Sequence, residues 1–325
     1  MMIWIGSWPC WGLRVIMSDG RRRACLMALV FVIGCRPPVK TAAPPIDLAA
    51  LDGQQAFAYV NDLVTLHSPR ASGTPAAEAA AQWIRQTIAP FTDTAVVDPF
   101  TDLTPDGKLI FRNVIATREG TGADVVILAS HIDTKRGISN TFQGANDSGS
   151  STGLLIELAR VLHGQPRLPF SVVFAFLDGE ECIDKYGPQD GLHGSRRYAA
   201  QQEREGRLST VRAVIILDMI GDRNLNVTLP RNTTRSLVAL ALQAAAAEGI
   251  RHQFGLASYA VIDDHVPFHE RGLPTLNLID FEYGSAPGRN DYWHTEQDAL
   301  EHIAAESLHK IGRVTLRILN ALATP

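Results

Sequence analysis

Several features that would point to particular functions are scarce in this chain of 325 residues. Its formal net charge is -4 and the body of the chain holds no run of basic residues, so the composition gives no indication of nucleic-acid binding. The apolar N-terminal run "ACLMALVFVIG" is too short to cross a bilayer comfortably, and no internal repeat is visible. What is present, 46% hydrophobic and 20% charged residues, is enough for one large domain with a sizeable core.

The N-terminus carries the features of an export signal. The basic stretch Arg21–Arg23 precedes the apolar run, and a small residue stands directly before Cys35. The sequence "VIGC" resembles the bacterial lipoprotein box, which implies that Cys35 becomes the lipidated first residue. We therefore expect a leader over 1–34, with Met17 as the true start, and a lipid-anchored protein of the bacterial cell envelope or periplasm. An uncleaved N-terminal anchor is the alternative.

The remainder of the chain divides into a tether and one domain. A Pro-rich segment over 35–48 is typical of a tether, and residues 49–325 are expected to form a single catalytic domain. Cys182 is the one cysteine in that domain, so we expect no intrachain disulfide even in an oxidising compartment.

Apolar runs and helical patterns alternate along the domain. Runs such as "DVVILASHID", "FSVVFAFLD" and "AVIILDMIG" are too continuously apolar to leave one face in water, which indicates central strands that are covered on both sides. Helical patterns such as "STGLLIELARVL" and "AAESLHKIGRVTLRILNAL" lie between and after them. The alternation predicts an α/β fold, a three-layer α/β/α sandwich with a mixed, mostly parallel central sheet.

Acidic residues and histidines cluster where the predicted strands end. Open α/β sheets bind ligands at the carboxyl ends of their strands. The candidates at these ends and in the loops that follow are His131, Asp133, Asp147, Asp178, Glu180, Glu181, Asp218, Asp222 and His294. Carboxylate and imidazole ligands together suit Zn²⁺, and few protein ligands with an open position indicate catalysis rather than a structural site.

Each candidate also has an ordinary interpretation. Asp147 is placed to cap the following helix, Asp218 to be a buried carboxylate that orients other groups, and His294 to be a core histidine. Cys182 is expected to be a packed small residue rather than a ligand, and Asp178 to steady its own turn through backbone amides. Without a metal, every one of these ordinary interpretations would have to be correct at the same time. The sequence therefore favours a metal centre.

Five motifs resemble those of the zinc aminopeptidase clan, in the same order and at similar spacing. They are "SHIDT", "GANDSGSSTG", "DGEE", "LDMIGD" and "YWHT", and the match spans nearly all of residues 51–322. The resemblance implies that Glu180 is the general acid and base. It also implies that Glu181 binds metal together with Asp147 and His294.

A second metal is an open alternative. The dizinc aminopeptidases of that clan place it on a histidine and a later aspartate, and the corresponding positions here are His131 and Asp218.

Other stretches resemble one branch of the clan, the animal-type glutaminyl cyclases. These are "DKYGPQDGLHGS", "DDHVPFHERGLP" and "YWHT", and "HSPRASGTPA" is similar to a segment near that branch's N-terminus. The resemblance implies one zinc per chain, with Asp218 and Asp263 as catalytic acids or hydrogen-bonding partners. It also implies that Trp293 and Tyr186 contact substrate. Tyr186 stands where the animal enzymes carry Trp, and the loop "DFEYGSAPGRND" is longer and more polar than theirs.

The implied activity is that of a zinc-dependent acyltransferase. A glutaminyl-peptide cyclotransferase converts the N-terminal glutamine of peptides or proteins to pyroglutamate and releases ammonia. A dizinc aminopeptidase is the alternative, and a catalytically dead binding ectodomain is a third hypothesis, which predicts lost ligand residues that this chain retains. We expect a peptide or protein substrate, no nucleic acid, membrane contact only through the lipid anchor, and a monomer.

Overall fold

The computed structural model of the chain describes residues 45–324. The predicted leader over 1–34, the lipidation site Cys35 and most of the predicted tether lie outside the described residues, so these remain predictions. None of the helices within 45–324 combines the length and the apolar character that crossing a membrane requires.

Eight strands form one mixed sheet. The strands are β1 (Thr94–Thr104), β2 (Gly107–Arg118), β3 (Asp124–His131), β4 (Phe170–Leu177), β5 (Val211–Asp218), β6 (Val227–Leu229), β7 (Phe254–Leu256) and β8 (Thr275–Ile279). Their order across the sheet is β1-β2-β4-β3-β5-β8-β6-β7. The central strands β4, β3, β5 and β8 are parallel neighbours, whereas β1 and β2 form an antiparallel hairpin at one edge. The predicted α/β class with a mixed, mostly parallel sheet is confirmed.

Seven α-helices accompany the sheet within the described residues. They are α1 (Gly53–His67), α2 (Pro75–Ile88), α3 (Ser151–His163), α4 (His193–Arg204), α5 (Arg235–Ala247), α6 (Val266–His269) and α7 (Ala305–Ala323). Local sequence signals determine where the first two begin. The Asp52 side chain accepts the first free N–H groups of α1, and Thr74 does the same for α2, where Pro75 occupies the first turn.

The central strands divide their side chains between two cores. In β4, Phe174 and Phe176 lie in the core shared with α1, α2, α3 and α7. Val173 and Ala175 point the other way and pack in a smaller core with Tyr198 of α4 and Phe268 of α6. Because successive side chains alternate between the faces of a strand, burial of both faces requires a continuously apolar sequence.

The sequence did not indicate β1, β6, β7 or α6. Three of these elements have only three or four residues, too few to show a period. The segment of β1 is interrupted by Asp98 and Pro99, and much of it is exposed. Proline is tolerated there because β1 is an edge strand, where a missing N–H leaves no sheet partner unpaired.

Candidate active site

The polar candidates meet at one edge of the sheet. Strand β3 ends at His131, β5 ends at Asp218, and β4 ends immediately before Asp178. These strands are parallel neighbours, so their carboxyl ends lie side by side, as the sequence led us to expect.

One group of three potential metal ligands is formed by Asp147, Glu181 and His294. The Nε2 atom of His294 lies 2.9 Å from Oε1 of Glu181 and 3.4 Å from Oδ2 of Asp147. Ligand atoms about 2.0–2.1 Å from a tetrahedral zinc lie about 3.3 Å from one another, which is close to these separations. The second oxygen of Glu181, Oε2, is buried and accepts no hydrogen bond among the described residues.

Electrostatics also favour a cation between these side chains. Burial and the charge of Asp147 raise the pKa of Glu181 to about 7. Burial lowers the pKa of His294, but the carboxylates of Asp147 and Glu181 outweigh burial and raise it to about 9. The negative charge of these two carboxylates, which holds a proton on the imidazole, also favours binding of a divalent cation. The three residues therefore fit a zinc ion in donor type, spacing and charge.

A second group of potential ligands shares Asp147 with the first. His131 Nε2 lies 2.9 Å from Asp147 Oδ1 and 3.3 Å from Asp218 Oδ1, and all three residues are buried. The residues predicted for a second metal are thus brought together, and Asp147 supplies one oxygen to each group. The geometry leaves both one and two metals open.

The turn that carries the two glutamates is held by Asp133. Its carboxylate accepts the backbone N–H groups of Gly179 at 2.9 Å, Glu180 at 3.1 Å and Glu181 at 3.2 Å. Asp178, which we expected to steady this turn, instead accepts the Ser72 hydroxyl and the backbone N–H of a residue in β2. That expectation was wrong because Asp178 points toward the β1–β2 side of the sheet end, while Asp133 on the neighbouring chain segment reaches the turn amides.

The loop that carries Asp147 is held from two sides. Asp298 accepts the backbone N–H groups of Asn146 at 2.7 Å and Asp147 at 3.2 Å. From the other side, the fully buried Arg70 donates to the carbonyl oxygens of Gln143 and Gly144, both at 2.9 Å. Asp147 therefore does not act as a simple helix cap, because its backbone is fixed by others and its carboxylate faces the two histidines.

Glu180 belongs to neither ligand group. Its carboxylate accepts the Tyr186 hydroxyl at 2.9 and 3.1 Å. Burial raises the pKa of Glu180 well above its ordinary value; His131 works against this, and the charges of Glu181 and Asp263 add to it. Burial and the charges of Glu180 and Glu181 raise the pKa of the Tyr186 hydroxyl, which therefore stays protonated and able to donate. Glu180 is thus a buried carboxyl group with a high proton affinity beside the ligands.

Asp263 is buried next to these acids. One of its oxygens accepts the amide N–H of Asn277 at 2.6 Å, and the other accepts the backbone N–H of Asp264. Burial raises its pKa well above the usual range, and the charge of Asp218 contributes. Among the described residues, neither Asp218 nor Asp263 forms a hydrogen bond with Glu180, and the charge of Asp263 contributes to the raised pKa of Glu180.

A cavity opens above the acids. Tyr186, Phe281, Trp293 and Ile262 form its apolar part, and the ligand residues and Glu180 form its polar floor. Trp293 stacks on the His294 ring, with centroids 4.0 Å apart. The two residues predicted to contact substrate, Trp293 and Tyr186, both line this cavity.

Cys182 is buried beside the site and belongs to neither ligand group. Its Sγ lies 3.4 Å from Nζ of Lys135, and the same ammonium donates to its carbonyl oxygen. The sequence reasoning had not identified Lys135, Arg70, Asp298 or Asn277. Asn277 left a signal, an amide in the otherwise apolar strand "TLNLI", whereas the others act through backbone contacts that no local pattern reveals.

Comparisons with known proteins agree with this geometry. The model of peptidase family M28 matches residues 113–319. A glutaminyl-peptide cyclotransferase-like protein from Bos taurus is 33% identical over 244 residues, which cover 67% of this chain and 62% of that protein. The chain thus spans about three fifths of the length of this curated relative.

Two solved structures are similar along almost their whole length. The crystal structure of an Acidobacteriales bacterium glutaminyl cyclase is 33% identical with a TM-score of 0.79, and the match covers 89% of this chain and 98% of that one. A Zn-dependent exopeptidase from Parabacteroides distasonis is 25% identical with a TM-score of 0.71, over 86% and 99% of the two chains. The chain therefore belongs to peptidase family M28 and, within that family, to the glutaminyl cyclases.

Proposed function

We propose that the protein is a zinc-dependent glutaminyl-peptide cyclotransferase, which converts an N-terminal glutamine to pyroglutamate and releases ammonia. The observation that carries the proposal is the position of Glu180. It is a buried, proton-binding carboxyl group that is free of both ligand groups and lies on the floor of a cavity lined by aromatic side chains. Membership of the glutaminyl cyclases supports the same reaction.

We assign one zinc ion per chain to Asp147, Glu181 and His294. When bound there, zinc supplies a Lewis acid for the carbonyl oxygen of the substrate's side-chain amide. The stack of Trp293 on His294 fixes the plane of the imidazole. Asp133 accepts the backbone N–H of Glu181, and Asp298 accepts the backbone N–H of Asp147. These hydrogen bonds fix the backbones of the two carboxylate ligands before substrate binds.

Glu180 is assigned the proton transfers. The α-amine nitrogen forms a bond to the γ-amide carbon, and the bond from that carbon to the amide nitrogen breaks. Glu180 takes the proton that the amine loses and delivers it to the departing nitrogen, so that ammonia leaves and the carboxylate is regenerated. The Tyr186 hydroxyl holds the carboxylate in place throughout.

The remaining acids and aromatic groups are assigned supporting roles. Asp218 lines the cavity, and Asp263 lies near enough for its charge to raise the pKa of Glu180. Both are proposed to bind the departing nitrogen while it gains its proton. Asn277 keeps Asp263 in position. Trp293 packs on the glutamine side chain and excludes water, which this reaction does not consume.

A dizinc aminopeptidase is the second candidate. The specific observation in its favour is the complete group of His131, Asp147 and Asp218. In that reaction a metal would supply hydroxide from water for attack on the first peptide bond.

One assay separates the two candidates. The purified protein is incubated with a Gln-initiated peptide and with the matching Leu-initiated peptide, while ammonia and free leucine are measured and zinc is counted per chain. We expect ammonia from the first peptide, no free leucine from the second, and one zinc. Free leucine together with two zinc ions per chain would establish the aminopeptidase instead.

We further propose that the protein is exported and lipid-anchored through Cys35, with a tether over 35–48 and the catalytic domain over 49–325. The basic and apolar pattern before Cys35 supports this proposal. Replacing Cys35 with Ser should move the protein from the membrane fraction of its bacterial host to the soluble fraction. A membrane-bound Cys35→Ser protein would instead identify an uncleaved anchor.

A further inference from the structure

Tyr283 is buried behind the proposed zinc ligands and has no part in the proposed proton transfers. It lies in the stretch "DFEYGSAPGRND" that follows β8, and its side chain is 0% exposed. It packs in a small cluster with Met219, and Trp293 packs against that cluster. Met219 directly follows Asp218, and Trp293 directly precedes His294. A hydroxyl buried at this place needs a hydrogen-bond partner, because an unpaired buried polar group is costly.

The hydroxyl of Tyr283 finds that partner in Asp298. It donates to Oδ1 of Asp298 at 3.2 Å, and the carbonyl oxygen of Gln297 lies at 3.5 Å. The same Oδ1 accepts the backbone N–H of Asn146 at 2.7 Å, while Oδ2 accepts the N–H of Asp147 at 3.2 Å. Burial and the charge of Asp298 raise the pKa of Tyr283, so its hydroxyl stays protonated and able to donate. Tyr283 therefore fixes the direction of the carboxylate that holds the Asp147 loop.

The main chain of Tyr283 supports the turn that carries His294. Its carbonyl oxygen accepts the N–H of Tyr292 at 3.3 Å, and the two rings meet edge to face with centroids 5.5 Å apart. The Tyr292 carbonyl accepts the N–H of Thr295 at 3.1 Å, which closes a turn around His294. His294 has a φ of 56°, in the left-handed region that residues other than glycine rarely adopt. Such a conformation persists only where the surrounding structure holds it, and the contact with Tyr283 is part of that support.

Tyr283 thus contacts both segments that bring two of the proposed ligands together. Nε2 of His294 lies 3.4 Å from Oδ2 of Asp147, although the two residues are far apart in the sequence. The hydroxyl of Tyr283 acts on the Asp147 loop through Asp298, and its carbonyl acts on the His294 turn. Ligands that are held in place before the metal arrives bind it more tightly, because binding does not have to order them.

We propose that Tyr283 is a positioning residue of the zinc site. Its hydroxyl orients Asp298, so that Asp147 stays at ligand distance from His294 in the metal-free protein. This inference rests on the zinc site of the proposed function. Without the hydroxyl, the Asp298 carboxylate can turn, and the Asp147 loop is held less firmly before zinc binds.

The test is a chelator competition that measures zinc affinity with Zn²⁺ alone, so that no peptide and no turnover are needed. The variant Tyr283→Phe keeps the ring and removes only the hydroxyl. Loss of a group that orients a metal ligand typically lowers affinity about 10–100-fold, and Tyr283 stands one group further from the metal than Asp298. We therefore expect zinc to bind about 3–10-fold more weakly to Tyr283→Phe than to the unaltered protein. Equal affinities would overturn the inference.

Tyr198→Phe is the matched control. Tyr198 is also a buried tyrosine, at 6% exposure, but it lies in the smaller core with Phe268. Its hydroxyl forms no hydrogen bond among the described residues. Zinc affinity of this variant should stay within about twofold of the unaltered protein. If both variants lost affinity equally, the effect would be a general one of removing a buried hydroxyl, and the positioning role would fall.

Substitution of Co²⁺ for zinc gives a readout that a loss of packing alone does not move. The visible absorption of bound Co²⁺ depends on the number and arrangement of its ligands. The Co²⁺ band should change in Tyr283→Phe and stay the same in Tyr198→Phe. A lower urea midpoint for Tyr283→Phe, together with an unchanged spectrum and zinc affinity, would make Tyr283 a packing residue only.

A double-mutant cycle tests the route through Asp298. If Tyr283 acts by orienting that carboxylate, the variant Tyr283→Phe/Asp298→Asn should bind zinc no more weakly than Asp298→Asn alone. Losses that multiply across the two positions would show that Tyr283 acts independently of Asp298, which would overturn the proposed route.

The outcomes also separate this inference from the proposed reaction. Zinc affinities that differ as expected, with no ammonia released from a Gln-initiated peptide, would overturn the cyclase reaction and leave the positioning role. Ammonia release with equal zinc affinities would overturn the positioning role and leave the reaction. An unaltered protein that binds no zinc would overturn the zinc site and this inference with it.

Discussion

Arg70 offers a quantitative test of how the loops around the ligands are held. It is fully buried, and its guanidinium donates to the Ile132 carbonyl at 2.7 Å, to the Gln143 and Gly144 carbonyls at 2.9 Å, and to the Ser68 hydroxyl at 2.8 Å. Burial lowers its pKa to about 10, so it remains charged at neutral pH. The change Arg70→Met keeps the buried apolar volume and removes all four hydrogen bonds.

The expected destabilisation depends on which hydrogen bonds the partners of Arg70 keep after the change. The Gln143 carbonyl keeps the Ser68 hydroxyl, and the Gly144 carbonyl keeps the N–H of Gly149. The Ile132 carbonyl accepts no other hydrogen bond among the described residues. Each bond to a charged donor contributes about 1.5–3 kcal/mol. Removal of the buried guanidinium also removes its desolvation penalty of several kcal/mol. The free energy of unfolding should therefore fall by about 3–5 kcal/mol in total.

The assay is urea denaturation of the metal-free protein, so that zinc binding does not add to the measured stability. With an m-value of about 3 kcal/mol per M, the midpoint should fall by about 1–1.7 M. Arg136→Met is the control, because Arg136 is partly exposed and pairs with Asp106 at 2.8 Å. This change should lower the free energy of unfolding by less than about 1 kcal/mol. A midpoint for Arg70→Met that matches the control would refute this account of the loops.

Three further predictions concern the chemistry and the packing. Glu180→Gln should lower kcat for ammonia release by at least about 10²-fold while the zinc content stays the same; near-normal turnover would show that another group moves the proton. Asp298→Asn replaces one acceptor of the N–H groups that fix the Asp147 loop, so zinc affinity in a chelator competition should fall about 10–100-fold, and an unchanged affinity would contradict the role of this contact. At Gly194 a Cβ would clash with a buried amide oxygen and lie 2.7 Å from the backbone of Asp178, so Gly194→Ala should cost about 1–3 kcal/mol in urea denaturation. Gly164→Ala, whose nearest contact would be 3.6 Å, should stay within about 0.5 kcal/mol of the unaltered protein.

The helix starts and the buried strands were predictable because their causes are local. Thr74 followed by Pro75 marks the first turn of α2 in any context. The unbroken apolar run of β4 requires two covered faces, and both are covered in the structure. In contrast, β1 combines Asp98 and Pro99 with exposed positions, and it becomes a strand only because β2 is available to pair with it.

Part of the candidate site was predictable for a similar reason. His131 and Asp218 are charged or polar ends of apolar strands, and such ends gather at one edge of a parallel sheet. We expected Asp178 to bind the turn amides because it lies directly beside the two glutamates in the sequence. Asp133, 46 residues from Gly179, accepts those N–H groups instead. Sequence proximity does not show which of two carboxylates points at a given N–H group.

The sequence by itself determined the layered α/β class, the burial of the central strands and the set of acids and histidines from which a metal centre is built. It could do so because hydrophobic periodicity and strand ends depend only on neighbouring residues. The tertiary structure alone decided that His294 meets Glu181 across 113 residues, that Glu180 stays outside the ligand groups, and that Arg70, Asp133 and Asp298 hold the loops beneath them. These relations depend on the order of strands in the sheet and on the direction of each side chain, which are fixed only when distant segments pack together.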